Sequence, residues 1–300
     1  MHDEPTTLDG LIRRSTAERA DSLALADAPN RAGFFHGEPL RLTWTELDAA
    51  VNTIAAALAG HGIGPGDAVA IQLPNVVELP VTILACARLG AVAVPFPIQH
   101  RRHELRHGCR VADAVAMVTA ARPDRPDQVE AAAEILAEHD PDAPLLVYGS
   151  TSQPSVHVLS LDDTSATAGP ADAPAPNHDH QPDDVVTICW TSGTTGDPKG
   201  VPRTNSMWLA SCSFQVEQLR ITADDRILCP FPVVNMAGIG GMLLPWAMAG
   251  AALHLHQPLD LPVFLRQLVT ESITYTVAPP PLLNMLLRNE AMLADVDLSN

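Results

Sequence analysis

Short apolar runs alternate with stretches of helical periodicity over the first 120 residues, and this alternation restricts the possible folds more than any other feature of the chain. Thr43-Trp44-Thr45-Glu46 has the spacing of a capping box, with a hydroxyl three residues ahead of a glutamate. Behind it Trp44, Leu47, Val51, Ile54 and Leu58 recur every three or four residues and mark one face of a helix. Gly62, Gly64 and Gly66 end that helix. Residues 68–73 read as a short buried strand, 75–89 as a helix, 91–94 as a strand, 100–109 as a helix and 114–118 as a strand. Strands separated by helices predict an α/β fold, a parallel-rich sheet with helices on its faces.

Composition shifts to Ala, Pro, Asp and Ser between residues 122 and 184. A helix over 128–138 and short strands over 144–148 and 156–159 fit within it, while 162–184 has no periodicity and reads as an exposed connection. The expected organisation is a first α/β lobe (1–121), an irregular acidic and Pro-rich connection (122–184) and a second lobe (185–300), meeting near residue 180. In the second lobe an apolar, β-branched run over 185–190 predicts a buried strand, and a helix is expected over 204–219. Further units run over 226–229, 240–249, 251–254, 262–270, 275–278 and 281–291.

The formal charge is −17, which disfavours nucleic-acid binding, since neutralising phosphates needs a basic face. No apolar run reaches the roughly 18 residues that span a bilayer. The acidic Met1-His2-Asp3-Glu4-Pro5 start lacks the features of a signal peptide, so a cytoplasmic protein is expected. Cys86, Cys109, Cys189, Cys212 and Cys229 are widely spaced and fall mostly in apolar runs, as buried free thiols do.

The segment that carries chemistry is Thr191-Ser192-Gly193-Thr194-Thr195-Gly196-Asp197-Pro198-Lys199-Gly200. Its glycines allow backbone N–H groups to approach a ligand closely, and its hydroxyls suit phosphate oxygens or Mg2+. Lysine and arginine together number 18, and Lys199 is the only lysine. A compact ammonium inside a Gly/Thr loop is well placed as a point charge on phosphate. The spacing differs from a Walker A loop, which has four residues between its glycines and an adjacent Gly-Lys.

This loop closely resembles the signature of the acyl-CoA synthetase, peptide-synthetase adenylation-domain and luciferase superfamily of adenylate-forming ligases. The likeness extends to Leu42-Thr43-Trp44-Thr45-Glu46-Leu47, the 64–71 stretch, Leu73-Pro74-Asn75, the 90–95 stretch, the Glu104-Leu105 helix, the 230–241 stretch and Val277-Ala278-Pro279-Pro280. The resemblance implies the large N-terminal domain of that fold, cut short on its C-terminal side and without the small C-terminal domain. It implies activation of a small carboxylic acid by ATP and Mg2+ through an acyl-adenylate, with CoA or a carrier-protein thiol as acceptor. Thr191, Ser192, Thr194, Thr195 and Lys199 would grip the β- and γ-phosphates, with Gly193 and Gly196 giving room, and Lys199 and Thr194 would act catalytically. Either Ser192 or Thr194 would reach the metal, and the sequence does not choose between them. Pro232-Val233-Val234-Asn235-Met236-Ala237-Gly238 sits where the family places its acid pocket, with Asn235 in place of the usual histidine or aromatic residue. Asn235, Met236 and Gly238 are the pocket candidates, and an apolar wall from Met236 to Ile239 would suit a fatty or aryl acid. Later family segments, among them the adenine motif, the ribose-binding aspartate and the catalytic lysine of the small domain, would lie beyond Asn300, so the chain alone is not expected to complete catalysis.

Two other readings compete. His103-Glu104-Leu105-Arg106-His107 matches the His-Glu-x-x-His pattern of zinc hydrolases, with Glu130 or Glu134 as a possible third ligand. The phosphate loop could also belong to a non-catalytic nucleotide-binding remnant of a ligase. His254 and His256 read as buried sheet histidines, and Trp208 and Trp246 as core.

Overall fold

The structure, a computed structural model, describes residues 5–162, 178–191 and 198–293. The chain opens with α1 (Leu8–Arg19), β1 (Leu23–Ala26), β2 (Arg41–Thr43) and α2 (Trp44–Gly60). Three strand–helix steps follow: β3 (Ala68–Ile71) and α3 (Glu78–Leu89), β4 (Val92–Pro95) and α4 (Arg102–Ala112), β5 (Ala114–Ala120) and α5 (Gln128–His139). Next come β6 (Leu145–Tyr148), β7 (Val156–Leu159), β8 (Val185–Thr191), β9 (Lys199–Thr204) and α6 (Asn205–Leu219). The last stretch holds β10 (Arg226–Cys229), the short α7 (Met236–Gly238), a π-helical turn (Ile239–Leu243), α8 (Leu244–Ala249), β11 (Ala252–Leu255), α9 (Leu261–Thr270), β12 (Tyr275–Thr276) and α10 (Pro280–Arg288).

The strands form two parallel-rich sheets. One has five strands in the order β12-β10-β11-β1-β2 and the other seven in the order β7-β6-β5-β3-β4-β8-β9. Successive residues of β3 serve different layers. Val69 and Ile71 enter the main core between the sheets, while Ala68 and Ala70 meet α4 and α5 on the far side. Burial on both faces is why these strands read as continuous apolar runs rather than as alternation. A third cluster, Leu228 with Phe264, Leu265 and Leu282, packs α9 and α10 on the outside of the five-stranded sheet. The result is helix–sheet–helix–sheet–helix layering, with α2, α3 and α8 in the middle.

This pairing corrects the expected division of the chain. β1 and β2, from the first 43 residues, join β10, β11 and β12, whereas β8 continues the sheet begun by β3, β4 and β5. The two sheets are interleaved in sequence and do not part near residue 180. Within 122–184 the expected helix and two short strands are present as α5, β6 and β7, with β6 and β7 continuing the seven-stranded sheet rather than forming a connection between lobes; residues 163–177 lie outside the described part. Strand partners are chosen by packing across the fold, which local periodicity does not encode.

The middle layer is tied by two buried arginines. Arg31 bonds to both Asp27 and Glu78. Arg88, fully buried on α3, donates to Asp9 of α1 (2.7 Å) and to Asp48 (2.6 Å) and Asn52 (2.8 Å) of α2. Trp44 and Trp246 stack at 5.1 Å, and the Trp246 indole N–H donates to the Ala24 carbonyl at 2.8 Å. All five cysteines are free and buried, and burial pushes the Cys86 and Cys212 thiols up to about 12. Among the described residues no helix is long and apolar enough to cross a membrane.

Candidate functional site

The candidate phosphate-loop segment joins two antiparallel strands. β8 and β9 pair from Val185↔Thr204 to Thr191↔Lys199, so the loop connects two strands of a hairpin, and β9 stands between it and α6, the helix expected over 204–219. Ser192, Gly193, Thr194, Thr195 and Gly196 lie outside the described residues. Their flanks are placed: Thr191 and Lys199 are exposed and sit opposite one another, with the Thr191 hydroxyl 3.4 Å from the Lys199 carbonyl. Gly200 is required by close approach, because a Cβ there would come within 2.8 Å of Ile188 and 3.2 Å of the Trp190 ring.

Helix α4 fixes the far side of the hairpin. The Trp190 ring stacks on Phe96 at 5.2 Å, and Gly108 admits this pair, since a Cβ on Gly108 would overlap the Phe96 ring. His107 Nε2 lies 2.9 Å from the Pro198 carbonyl, holding the exit of the loop just ahead of Lys199.

The candidate acid segment is anchored separately. Asn75 is buried, and its side-chain oxygen accepts from the Val233 N–H (3.1 Å) while its amide nitrogen donates to the Phe231 carbonyl (3.1 Å). Its own N–H donates to Gln257 Oε1 at 2.7 Å. Asn235 caps α7, its side-chain oxygen accepting from the Ala237 (3.0 Å) and Gly238 (2.9 Å) N–H groups. Gly238 allows the tight reversal here, because a Cβ would collide with the Pro232 carbonyl. Met236 is 45% exposed while Ile239 is 1% exposed within the main core. These residues therefore do not form one apolar wall, because the helical turn sends them to different sides. The π-helical turn that follows widens the backbone spiral, a local geometry common at functional sites.

One buried side chain brings the hairpin and the acid segment together. The Trp208 indole N–H donates to Thr187 Oγ1 of β8 at 3.0 Å, and the Arg203 guanidinium of β9 lies 5.8 Å from its ring centroid. Its ring also packs against Gly240 in the π-helical turn, where a Cβ would come within 2.8 Å. Sequence periodicity identifies Trp208 as core, and it is, but its bridging role carries no sequence signal; Leu73-Pro74-Asn75 stands out as part of the family likeness, without showing that Asn75 anchors residues 231–233.

The His103-Glu104-x-x-His107 set is built for other purposes. The Glu104 carboxylate accepts from the Arg101 N–H at 2.9 Å, and backbone hydrogen bonds at Glu104 itself and at Arg101 hold its pKa below the usual range. His107 contacts Pro198, and Glu134 pairs with Arg102. Among the described residues, the acidic, histidine and cysteine side chains grouped closely enough to hold a metal are His178, His180 and Asp184, a different set. His256 is satisfied within the fold by Gln267 at 2.8 Å.

The AMP-binding enzyme family matches residues 12–299. The chain belongs to this family. Among curated relatives of this AMP-binding chain, the salicyl-AMP ligase / salicyl-S-ArCP synthetase of Mycobacterium tuberculosis is 36% identical over 222 residues, covering 74% of the chain and 37% of that enzyme. The indoleacetate–CoA ligase of Aromatoleum aromaticum is 31% identical over 248 residues, covering 82% of the chain and 46% of that enzyme. The chain thus spans less than half the length of these two relatives. Among solved structures, apo MbtA of Mycobacterium smegmatis superposes with a TM-score of 0.74 at 29% identity, covering 92% of this chain and 48% of that one. A long-chain-fatty-acid CoA ligase structure from Rhodopseudomonas palustris gives 0.79 at 24% identity, covering 94% and 65%, and supports the fold alone.

Proposed function

We propose that this AMP-binding chain supplies the triphosphate-gripping part of a ligase that activates a carboxylic acid. The observation that carries this reading is the hairpin, which sets Thr191 opposite Lys199 at the two ends of the Ser/Thr/Gly loop and rests on the same Trp208 as the candidate acid segment. In the proposed reaction a carboxylate oxygen attacks the α-phosphorus of ATP, the bond to pyrophosphate breaks, and an acyl-adenylate forms. A thiol of CoA or a carrier protein then attacks the acyl carbon and releases AMP. The Lys199 ammonium, with the hydroxyls of Thr191, Ser192, Thr194 and Thr195, would neutralise the departing pyrophosphate. Gly193 and Gly196 would let the backbone close on it. Magnesium would share that charge, reached by the hydroxyl of Ser192 or Thr194. The acid is proposed to be apolar and ring-bearing, in keeping with the salicyl and indoleacetate names of the two relatives. Asn235, Met236 and Gly238 would lie along its path.

The test is calorimetric titration of the 300-residue chain with MgATP. A hydrogen bond to a charged group contributes about 1.5–3 kcal/mol net, so Lys199→Ala should weaken binding roughly ten- to a hundredfold. Absence of MgATP binding by the parent chain, or unchanged affinity in a folded Lys199→Ala variant, would overturn the reading.

A further inference from the structure

Residues 178–184 return the chain to the seven-stranded sheet at β8, and they carry a donor set that the ligase reading does not use. His178, His180 and Asp184 each offer a ligand atom, and these atoms all lie within 4.8 Å of one another. His178 Nε2 is 2.9 Å from Asp184 Oδ2, and the two imidazoles meet edge to face at 4.8 Å. Tetrahedral coordination at Zn–N distances near 2.0–2.1 Å needs ligand atoms about 3.3 Å apart, so a modest contraction of the trio would suffice.

The trio sits in a braced loop. The Asp184 carboxylate also accepts from the Gln181 N–H at 2.8 Å. The Gln181 carbonyl accepts from the Asn205 side chain at 3.2 Å, and the Pro182 carbonyl from the Ser206 N–H at 2.7 Å, so the start of α6 holds the loop. The His178 ring is seated on Gly90, whose φ of +74° and missing Cβ make the room; a Cβ there would be 2.5 Å from the ring. A cavity of about 590 Å³, lined in part by Gly66, Gly90, His178 and Asp184, opens the cluster to solvent.

We propose that His178, His180 and Asp184 bind one zinc ion, which clasps the loop entering β8 against Gly90. Two imidazoles and one carboxylate form a borderline donor set suited to zinc, and Cys ligands are not needed. Asp9 lies 3.7 Å from His180 Nε2 but is engaged by Arg88 and Arg13, which leaves the fourth position to solvent. On binding, zinc replaces the His178–Asp184 hydrogen bond, and the His178 proton moves to the other ring nitrogen. The proposal is independent of the phosphate-loop reading.

The experiment is titration of the metal-stripped chain with zinc sulfate, with cobalt(II) as a visible-absorption probe. The expected result is one zinc per chain, weakened at least about tenfold by the double substitution His178→Gln/His180→Gln, because even outer groups around metal sites are worth 10–100-fold in affinity. Asp184→Asn, which keeps the shape of the side chain, should weaken zinc too and guards against misfolding of the double variant. His103→Gln should leave binding unchanged. No stoichiometric zinc in the parent chain, undiminished binding in both the double and the Asp184→Asn variants, or loss of binding in His103→Gln would each overturn the proposal.

Discussion

Arg88 offers a decisive test of how the middle layer is held. It is fully buried, and its guanidinium bonds Asp9 of α1 together with the Asp48 carboxylate, the Asp48 carbonyl and the Asn52 side chain of α2. Arg88→Met keeps the length and most of the apolar stem but removes every donor. Asp9, only 4% exposed, then retains Arg13 at 2.6 Å as its charged partner. Breaking a buried ion pair from one side costs about 3–5 kcal/mol, because the orphaned charge remains desolvated. With an unfolding entropy of about 2.1 cal/mol/K per residue, a chain of this length should lose roughly 5–8 °C in Tm. The pH dependence supplies a sign. Burial pushes the Asp9 carboxyl up, but Arg88 and then Arg13 outweigh it and hold it below its ordinary 3.8. Its contribution is therefore complete above 3.8 and is lost as pH falls through the lower folded value. Thermal unfolding at neutral pH would be followed for Arg88→Met, Asp9→Asn and the double variant. The double variant should be less damaged than the sum of the singles, since Asp9→Asn removes the buried charge that Arg88→Met leaves without its arginine, although Asp48 loses Arg88 in both backgrounds. A Tm within about 2 °C of the parent for Arg88→Met, or additive effects in the cycle, would refute the account.

Two further outcomes follow from other parts of the fold. Gly108→Ala should destabilise by about 1–3 kcal/mol and change the near-UV circular dichroism of Trp190, because the new Cβ overlaps Phe96 and comes within 3.2 Å of Trp190. Helix propensity alone would make that substitution stabilising by about 1 kcal/mol, so the sign of the Tm shift decides the matter. Burial pushes His254 down to about 4, against Glu271 and with Arg41 and Arg226 adding to the fall. The unfolded imidazole takes a proton near 6.5 that the folded one refuses, so this stability is complete above about 6.5 and declines as pH falls toward 4. His254→Gln should flatten Tm against pH across that window, and an unchanged slope would show that His254 does not govern it.

Much of the first half of the fold is written locally. The Thr43 hydroxyl accepts from the Glu46 N–H at 3.2 Å while Glu46 accepts from the Thr43 N–H at 2.8 Å, the reciprocal pair that the capping-box spacing predicts. The runs behind β3, β4 and β5 are apolar because both faces are covered. Other elements hide for physical reasons. α1 turns Leu8, Leu11, Ile12 and Ser15 inward, but it also buries Asp9, whose charge is met by Arg88 reaching across from α3 and by Arg13 one turn along. β1 finds its parallel partner in β11, more than 200 residues away, and no local pattern states that distance.

The hairpin shows why the residue content of the candidate loop is legible in the sequence while its setting is not. Residue types alone carry the proposal of a phosphate loop: two glycines, several hydroxyls and one lysine between Thr191 and Lys199. The direction in which that loop points depends on β9, and β9 does not look like a strand. It contains Gly200 and Pro202, both poor strand formers. They are acceptable because β9 is the last strand of its sheet, where a proline need not donate to a further neighbour, and because Ile188 and Trp190 fill the space that a side chain at position 200 would take. Sequence periodicity therefore leaves residues 199–204 without an assigned element, whereas antiparallel register sets Lys199 directly across from Thr191. The same logic applies to Trp208. Its apolar bulk makes it core in any reading, but only the fold can put Thr187, Arg203 and Gly240 around one indole, and that convergence ties the mouth of the phosphate loop to the segment proposed to meet the acid.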